Sequence, residues 1–246
     1  MNKNIEKLIN IALNEVGYLE KKNNSSLDSK TNNAGSNNYT KYARDMSKYN
    51  ADIFANGYAW CDTFVDWCFT QAFGAEVAKE MLGGWSAYTP TSARYYNNRG
   101  QWYSTPQVGD QIFFKDSKGV ICHTGIVYKV DNSFVHTVEG NTSSTTGVVA
   151  NGGSVQKKSY YRNYNRIAGY GRPVYPKEVE EKKEETKMPQ EIYYDWTLAC
   201  PEWSRPYVQK ALDLGWIKGN EKGELRLTDT KIWCLVVILR AMNIMR

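Results

Sequence analysis

Apolar residues change their period along this chain. Near the start, Ile5, Leu8, Ile9, Ala12 and Val16 recur every three or four residues, which predicts an amphipathic helix packed by one face. Residues 21–39 run polar, rich in Asn and Ser, and read as a loop before a short helical piece from Thr40 to Tyr49. The run Phe64, Val65, Trp67, Phe69, Ala72 and Phe73 predicts a helix over 60–73, and a Thr-Pro-Thr start predicts another over the segment SARYYNNRG. From Gly109 the runs become short, β-branched and aromatic, punctuated by Gly, Asn and Asp: GDQIFFK, TGIVYKV, SFVHTVEG, GSVQKKSYY and RIAGYGRPVY. That pattern predicts an antiparallel meander. Helices first and sheet second make an α+β layout.

The stretch PKEVEEKKEETKMPQE, residues 176–191, holds ten charges and reads as a solvated linker. Beyond it Trp203, Tyr207, Ala211 and Leu214, and then Trp233, Val236, Val237, Arg240 and Ala241, mark two helices around a Gly-rich turn. About 55 residues bury only a marginal core, so this unit either packs on the rest of the chain, pairs with a second copy as a homodimer, or stands as a small domain. Three segments result: a main domain over 1–175, the linker over 176–191 and a small helical domain over 192–246.

Composition narrows the function classes. Residues 1–175 carry 19 basic and 14 acidic groups, for a net +5, while the linker carries −2 and the last segment +2. A mildly basic main domain suits an anionic partner such as a cell-wall polymer. No Lys/Arg run interleaved with aromatics is present, which argues against nucleic acid. No stretch approaches the roughly 18 apolar residues of a membrane span. The first 22 residues lack the apolar core and cleavage site of a secretory signal, so the protein is expected in the cytoplasm and must be released by other means to act outside. Five sparse cysteines fit reduced thiols, and two histidines without a C-x-x-C argue against structural zinc.

The chemistry concentrates in YAWCDTFVDWCF, residues 58–69. Cys61 stands where the apolar helix begins, and a helix N-terminus favours the thiolate, the nucleophilic form. Cys68, seven residues on, falls near the same face but roughly 10 Å deeper along the axis, where a buried, inert thiol is expected. A base comes from the hairpin pattern TGIVYKVDNSFVHTVEGN. If Val130 pairs with Phe134, His123 faces Asn141; a register slipped by two puts it opposite Glu139. In either register His123, Glu139 and Asn141 project from one face and His136 from the other, as a packing histidine. A bulge would break this parity. Thiol, imidazole and an orienting carboxylate or amide are the parts of acyl-transfer catalysis.

Five blocks, YAWCDTFVDWCF, PQVGDQIFFK, CHTGIVYKV, VEGNTS and IAGYGRPVY, in this order and spacing, closely resemble the CHAP amidohydrolase/peptidase domains of phage endolysins and related bacterial cell-wall hydrolases. The resemblance covers about residues 4–175 and implies a papain-like α+β fold. It also implies Cys61 as nucleophile, His123 as base, Glu139 as its orienter and Asn141 as an auxiliary polar group. The implied reaction is hydrolysis of an amide in the peptidoglycan of a Gram-positive wall, by an N-acetylmuramoyl-L-alanine amidase or an endopeptidase. Tyr58, Trp60 and Trp85 are candidates for the cleft wall. Some family members carry closely spaced aspartates for calcium just before the cysteine; here NADIFANGYAW holds only Asp52, so no metal and no cofactor are expected. The last segment resembles one S-layer homology repeat, which implies binding to a secondary wall polymer, although LTDTKIW lacks that family's Thr-Arg-acidic signature. Two other readings remain open: a wall-binding protein without catalysis, and a transglutaminase-like acyl transferase.

Overall fold

Asn2 starts the first helix, α1 (Lys3–Asn14), by accepting the free backbone N–H groups of Asn4 and Ile5 on its side-chain oxygen. The computed structural model describes residues 2–176 and 194–245. The chain divides into two compact units, residues 1–178 and 179–246. Of the expected linker over 176–191, all but Pro176 lies outside the described residues.

In the first unit α2 (Lys41–Met46) and α3 (Cys61–Phe73) follow α1, then α4 (Ala75–Leu82) and α5 (Thr89–Asn98). Helix α4 was not read from the sequence. It is eight residues long between Gly74 and Gly83, both at positive φ, and buries Ala78, Met81 and Leu82, a stripe too short to stand out as a period. Helix α3 is buried almost all round, which puts even Asp62, Thr63 and Asp66 inside the protein. The Tyr42 ring packs within about 5 Å of the rings of Tyr18, Trp60, Phe64 and Trp67. Its hydroxyl donates to Glu15 Oε2 at 2.7 Å, so this aromatic cluster is tied at its polar tip.

The sheet has six strands: β1 (Trp102–Tyr103), β2 (Gln111–Lys115), β3 (Ile121–Val130), β4 (Phe134–Thr142), β5 (Ser154–Tyr161) and β6 (Ile167–Gly171). Their order is β1-β6-β2-β3-β4-β5, and neighbours are antiparallel. The expected meander is real only from β2 to β5. Strand β6 returns to the free edge of β2, because its glycines admit bulky neighbours that a Cβ would strike, the Trp102 ring at Gly169 and the Tyr96 ring at Gly171.

The β3–β4 hairpin corrects a second expectation. Val130 pairs with Val135, not Phe134, because Asp131 caps the turn by accepting the N–H groups of Ser133 and Phe134. A bulge between Val127 and Lys129 then restores the even register, with Val127 opposite Thr137 and Ile126 opposite Val138. Phe113, Ile126, Val138 and Val155 join the helices in one core, while Ile112, Phe114, Val127, Val135, Tyr160 and Tyr170 form a second. Strand and helix approach closely in the first core at Gly140, where a Cβ would sit 2.5 Å from Phe64 Cβ and 2.9 Å from the Trp60 ring.

The second unit holds two 3₁₀ turns at 197–199 and 202–204, then α6 (Arg205–Asp213) and α7 (Asp229–Ala241). Its buried stripe is not quite the expected one. Val208, Ala211, Ile232, Val236 and Leu239 turn inward, while Trp203, Trp233 and Val237 are exposed, the two Trp rings lying 4.7 Å apart. Among the described residues no helix is long and apolar enough to cross a membrane. Gly140→Ala should destabilise the first unit by about 1–3 kcal/mol through overpacking, read as a lowered urea midpoint at unchanged slope. An unchanged midpoint would show that strand and helix are not in tight contact there.

Candidate active site

Helix α3 begins at Cys61 with no side chain capping its first N–H groups, since the residue before it is Trp60. Those groups and the helix dipole favour negative charge at the helix start. Trp60 is itself fixed: its ring is 1% exposed, stacks on Tyr42 and donates its indole N–H to the buried Glu20 at 2.9 Å. Trp60 therefore belongs to the core and does not line a cleft, contrary to the sequence expectation. A ring of that size, held on three sides, sets where the helix begins.

His123 and Glu139 meet on the neighbouring strands β3 and β4. His123 Nε2 lies 3.0 Å from Glu139 Oε2, both side chains 0% exposed. The β3–β4 pairing ends with Ile126 opposite Val138, and just beyond it the Glu139 side chain runs over Gly125 to the imidazole. Gly125 makes this possible. A Cβ there would fall 2.5 Å from Glu139 Cγ. Glu139 also accepts Thr137 Oγ1–H at 2.5 Å on its other oxygen and Tyr160 O–H at 3.2 Å beside the histidine. The imidazole stacks on Phe114, with ring centres 5.9 Å apart.

Cys61 is close enough to perturb the same imidazole. Burial lowers the His123 pKa, but hydrogen bonding and charge at Cys61 and Glu139 outweigh it and push it up to about 9. With Nε2 engaged by Glu139, Nδ1 is the atom left for the thiol, and it is buried without a hydrogen bond of ordinary geometry. Catalytic hydrogen bonds of this kind often tighten only around substrate. Cys68 is fully buried, and desolvation holds its thiol well above the usual range, as expected of an inert core residue.

Asn141 does not join the His123–Glu139 pair through any hydrogen bond. It sits at φ 53° where the β4–β5 register shifts, accepting Gly153 N–H on its side chain and Gly152 N–H on its carbonyl. Among the described residues its buried Nδ2 has no hydrogen-bond partner. His136, expected to pack apolar neighbours, lies beside the rings of Phe134 and Tyr128, with centroids 6.2 and 5.9 Å away, and also 2.8 Å from Asp131 Oδ2 and 2.8 Å from Ser159 Oγ.

A groove of about 580 Å³ runs beside the helix start, lined by Ile53, Tyr58, Ala59, Trp85, Tyr88 and Tyr95. Tyr58 is 71% exposed, whereas Trp85 is buried and presents only part of its ring. Tyr88 and Tyr95 were not singled out from the sequence, because nothing in their spacing distinguishes a groove-lining tyrosine from a surface one. Thr137 and Tyr160 were also missed. Thr137 was legible in principle, being two residues from Glu139 and thus on its face. Among the described residues no cluster of three or more His, Cys, Asp or Glu side chains could hold a metal ion.

A helix-borne cysteine next to a strand-borne histidine and its carboxylate, on helices followed by an antiparallel sheet, makes a papain-like α+β architecture. The CHAP domain family matches residues 53–141, a stretch that contains Cys61, His123 and Glu139 and ends on Asn141. The match supports a cysteine- and histidine-dependent amidohydrolase or peptidase of the kind that acts on peptidoglycan. Among solved structures, one described as the crystal structure of Ly7917 is similar over 69% of this chain and 62% of that one. The identity is 13% and the TM-score 0.39, too distant to carry an argument. None of the curated proteins compared matches the chain.

Because Gly125 leaves the space that Glu139 crosses, Gly125→Ala should lower turnover in a folded protein and bring the His123 pKa below about 9, read by NMR titration of the imidazole. An unchanged titration would mean that the carboxylate does not depend on that space.

Proposed function

We propose that the protein is a peptidoglycan hydrolase of the endolysin type, with Cys61 as nucleophile, His123 as acid and base, and Glu139 as its orienter. The observation that carries this reading is the fully buried His123–Glu139 pair beside a cysteine at an uncapped helix start. The Cys61 thiolate adds to the carbonyl of a wall amide, and the oxyanion forms against the free N–H groups that open α3. His123 gives its proton to the departing amine. The imidazole, now neutral, draws a proton from water, whose oxygen attacks the thioester and releases the acid and the thiol. Tyr58 and Trp85 line the groove beside the start of α3 and are assigned the substrate contacts.

The substrate is the wall of a Gram-positive cell, cut at the muramoyl-alanine amide or within the peptide. The net +5 of residues 1–175 supports an anionic wall partner, which the enzyme would meet on lysis of a phage-infected or lysogenic cell. The second unit carries exposed Trp203 and Trp233, suited either to a wall polymer or to a second copy of the chain.

Purified wall digested with wild type and Cys61→Ala separates the readings. Wild type should release fragments and Cys61→Ala none, with mass spectrometry showing stem peptides freed from sugar for an amidase, or cut peptides still on muramic acid for an endopeptidase. Release by both proteins, or by neither, would overturn the assignment. Addition of a labelled amine should leave product unlabelled; labelled product would show acyl transfer instead.

The reactive form also predicts a pH limb. His123 holds its proton below about 9, so turnover should fall as pH rises through that value. Glu139→Gln removes a charge that favours the imidazolium, so the limb should move to lower pH. His123→Ala should cut the rate by about 10²–10⁴. A basic limb that stays in place in Glu139→Gln would sink the role given to this carboxylate.

A further inference from the structure

Helix α3 buries a carboxylate directly after Cys61. Asp62 is 0% exposed, and burial pushes its pKa up to about 7 against the hydrogen bonds from Ser92 and Gln111. Such a group is costly unless its partners are well placed. Its Oδ2 accepts the Ser92 hydroxyl of α5 at 2.6 Å, and its Oδ1 accepts Gln111 Nε2 of β2 at 3.1 Å. The same Nε2 donates to Thr124 Oγ1 of β3 at 3.1 Å, and Thr124 donates to the Ile112 carbonyl at 2.7 Å.

The proton arrangement follows from these contacts. Thr124 has spent its only proton on Ile112, so it must accept from Gln111. The amide therefore turns its NH2 toward both neighbours, and Asp62 Oδ1 must accept whether or not the carboxyl is ionised. Protonation can be met at Oδ2, where the Ser92 hydroxyl can reverse its bond. Asp62 follows Cys61 and Thr124 follows His123, so one amide spans the residues next to the nucleophile and the base. All three side chains are buried.

We propose that Asp62, Gln111 and Thr124 form a positioning relay that sets the distance from the Cys61 thiol to the His123 ring. This rests on the reading of Cys61 and His123 as nucleophile and base. None of the three touches substrate. They act by tying the start of α3 to β2 and β3 at the one level where thiol and imidazole must meet. The main core and the fixed Trp60 ring hold α3 against the sheet, and the relay adds directional hydrogen bonds that tie the residue after the thiol to the residue after the imidazole.

The test measures the rate at which iodoacetamide alkylates Cys61 at neutral pH, followed by peptide mass spectrometry, with exposed Cys234 in the same chain as reference. Thr124→Val keeps shape and removes both hydroxyl bonds, and Gln111→Leu removes the span. In both, alkylation of Cys61 should slow relative to Cys234, and on cell wall kcat should fall about 10- to 100-fold at unchanged KM. Asp62→Leu should behave like Gln111→Leu, while Asp62→Asn keeps an acceptor for Gln111 and should recover most of the rate. Circular dichroism restricts the comparison to folded variants, and Thr124→Val stands in if Asp62→Leu does not fold. Variants that melt lower but keep the wild-type alkylation rate would overturn the relay and leave these residues a stability role alone. If wild type cuts no cell wall, the hydrolase reading fails, and the alkylation rates still decide the relay.

Discussion

Everything in the site depends on keeping a charged imidazole and a carboxylate out of water. Removing either ion from solvent costs several kcal/mol, and their attraction offsets this only when the remaining lone pairs are also satisfied. Glu139 meets that condition with His123, Thr137 and Tyr160 converging on its two oxygens. The satisfied carboxylate then holds the imidazole oriented and, together with Cys61, pushes its pKa up to about 9. A lone buried histidine would have been neutral instead.

The backbone frame serves this pair through close approach. Gly125 leaves room on β3 for the Glu139 side chain to lie over the strand toward His123, and Gly140 lets β4 press against the start of α3. Trp60, fixed by Tyr42 and Glu20, then determines where α3 begins. Packing of this density transmits small displacements, so the thiol and the ring are located by contacts several residues away from either.

The second unit follows a different economy. Its core is small, built from Cys200, Val208, Leu227 and Ile232 with a cluster around Tyr207, Val236 and Leu239. Helix α7 is apolar on more than one side, and α6 and α7 together are too few to cover it, which leaves Trp203, Trp233 and Val237 in solvent.

The order of elements, the α+β class and the presence of Cys61, His123 and Glu139 in segments able to meet were legible from sequence, because they depend on local period and parity. Parity survived although the hairpin was read one residue off at its turn. The Asp131 cap shifted the pairing and the bulge at Tyr128 shifted it back, two local events whose cancellation only the folded sheet shows. The return of β6 to β2, the retreat of Trp60 into the core and the chain Asp62–Gln111–Thr124 could not be read from period, since each is decided by which distant side chain fills the available space. Sequence periodicity states which face a residue occupies. Only tertiary packing decides what stands on the other side of it, and hydrogen bonds that join three separate elements exist only once that packing is complete.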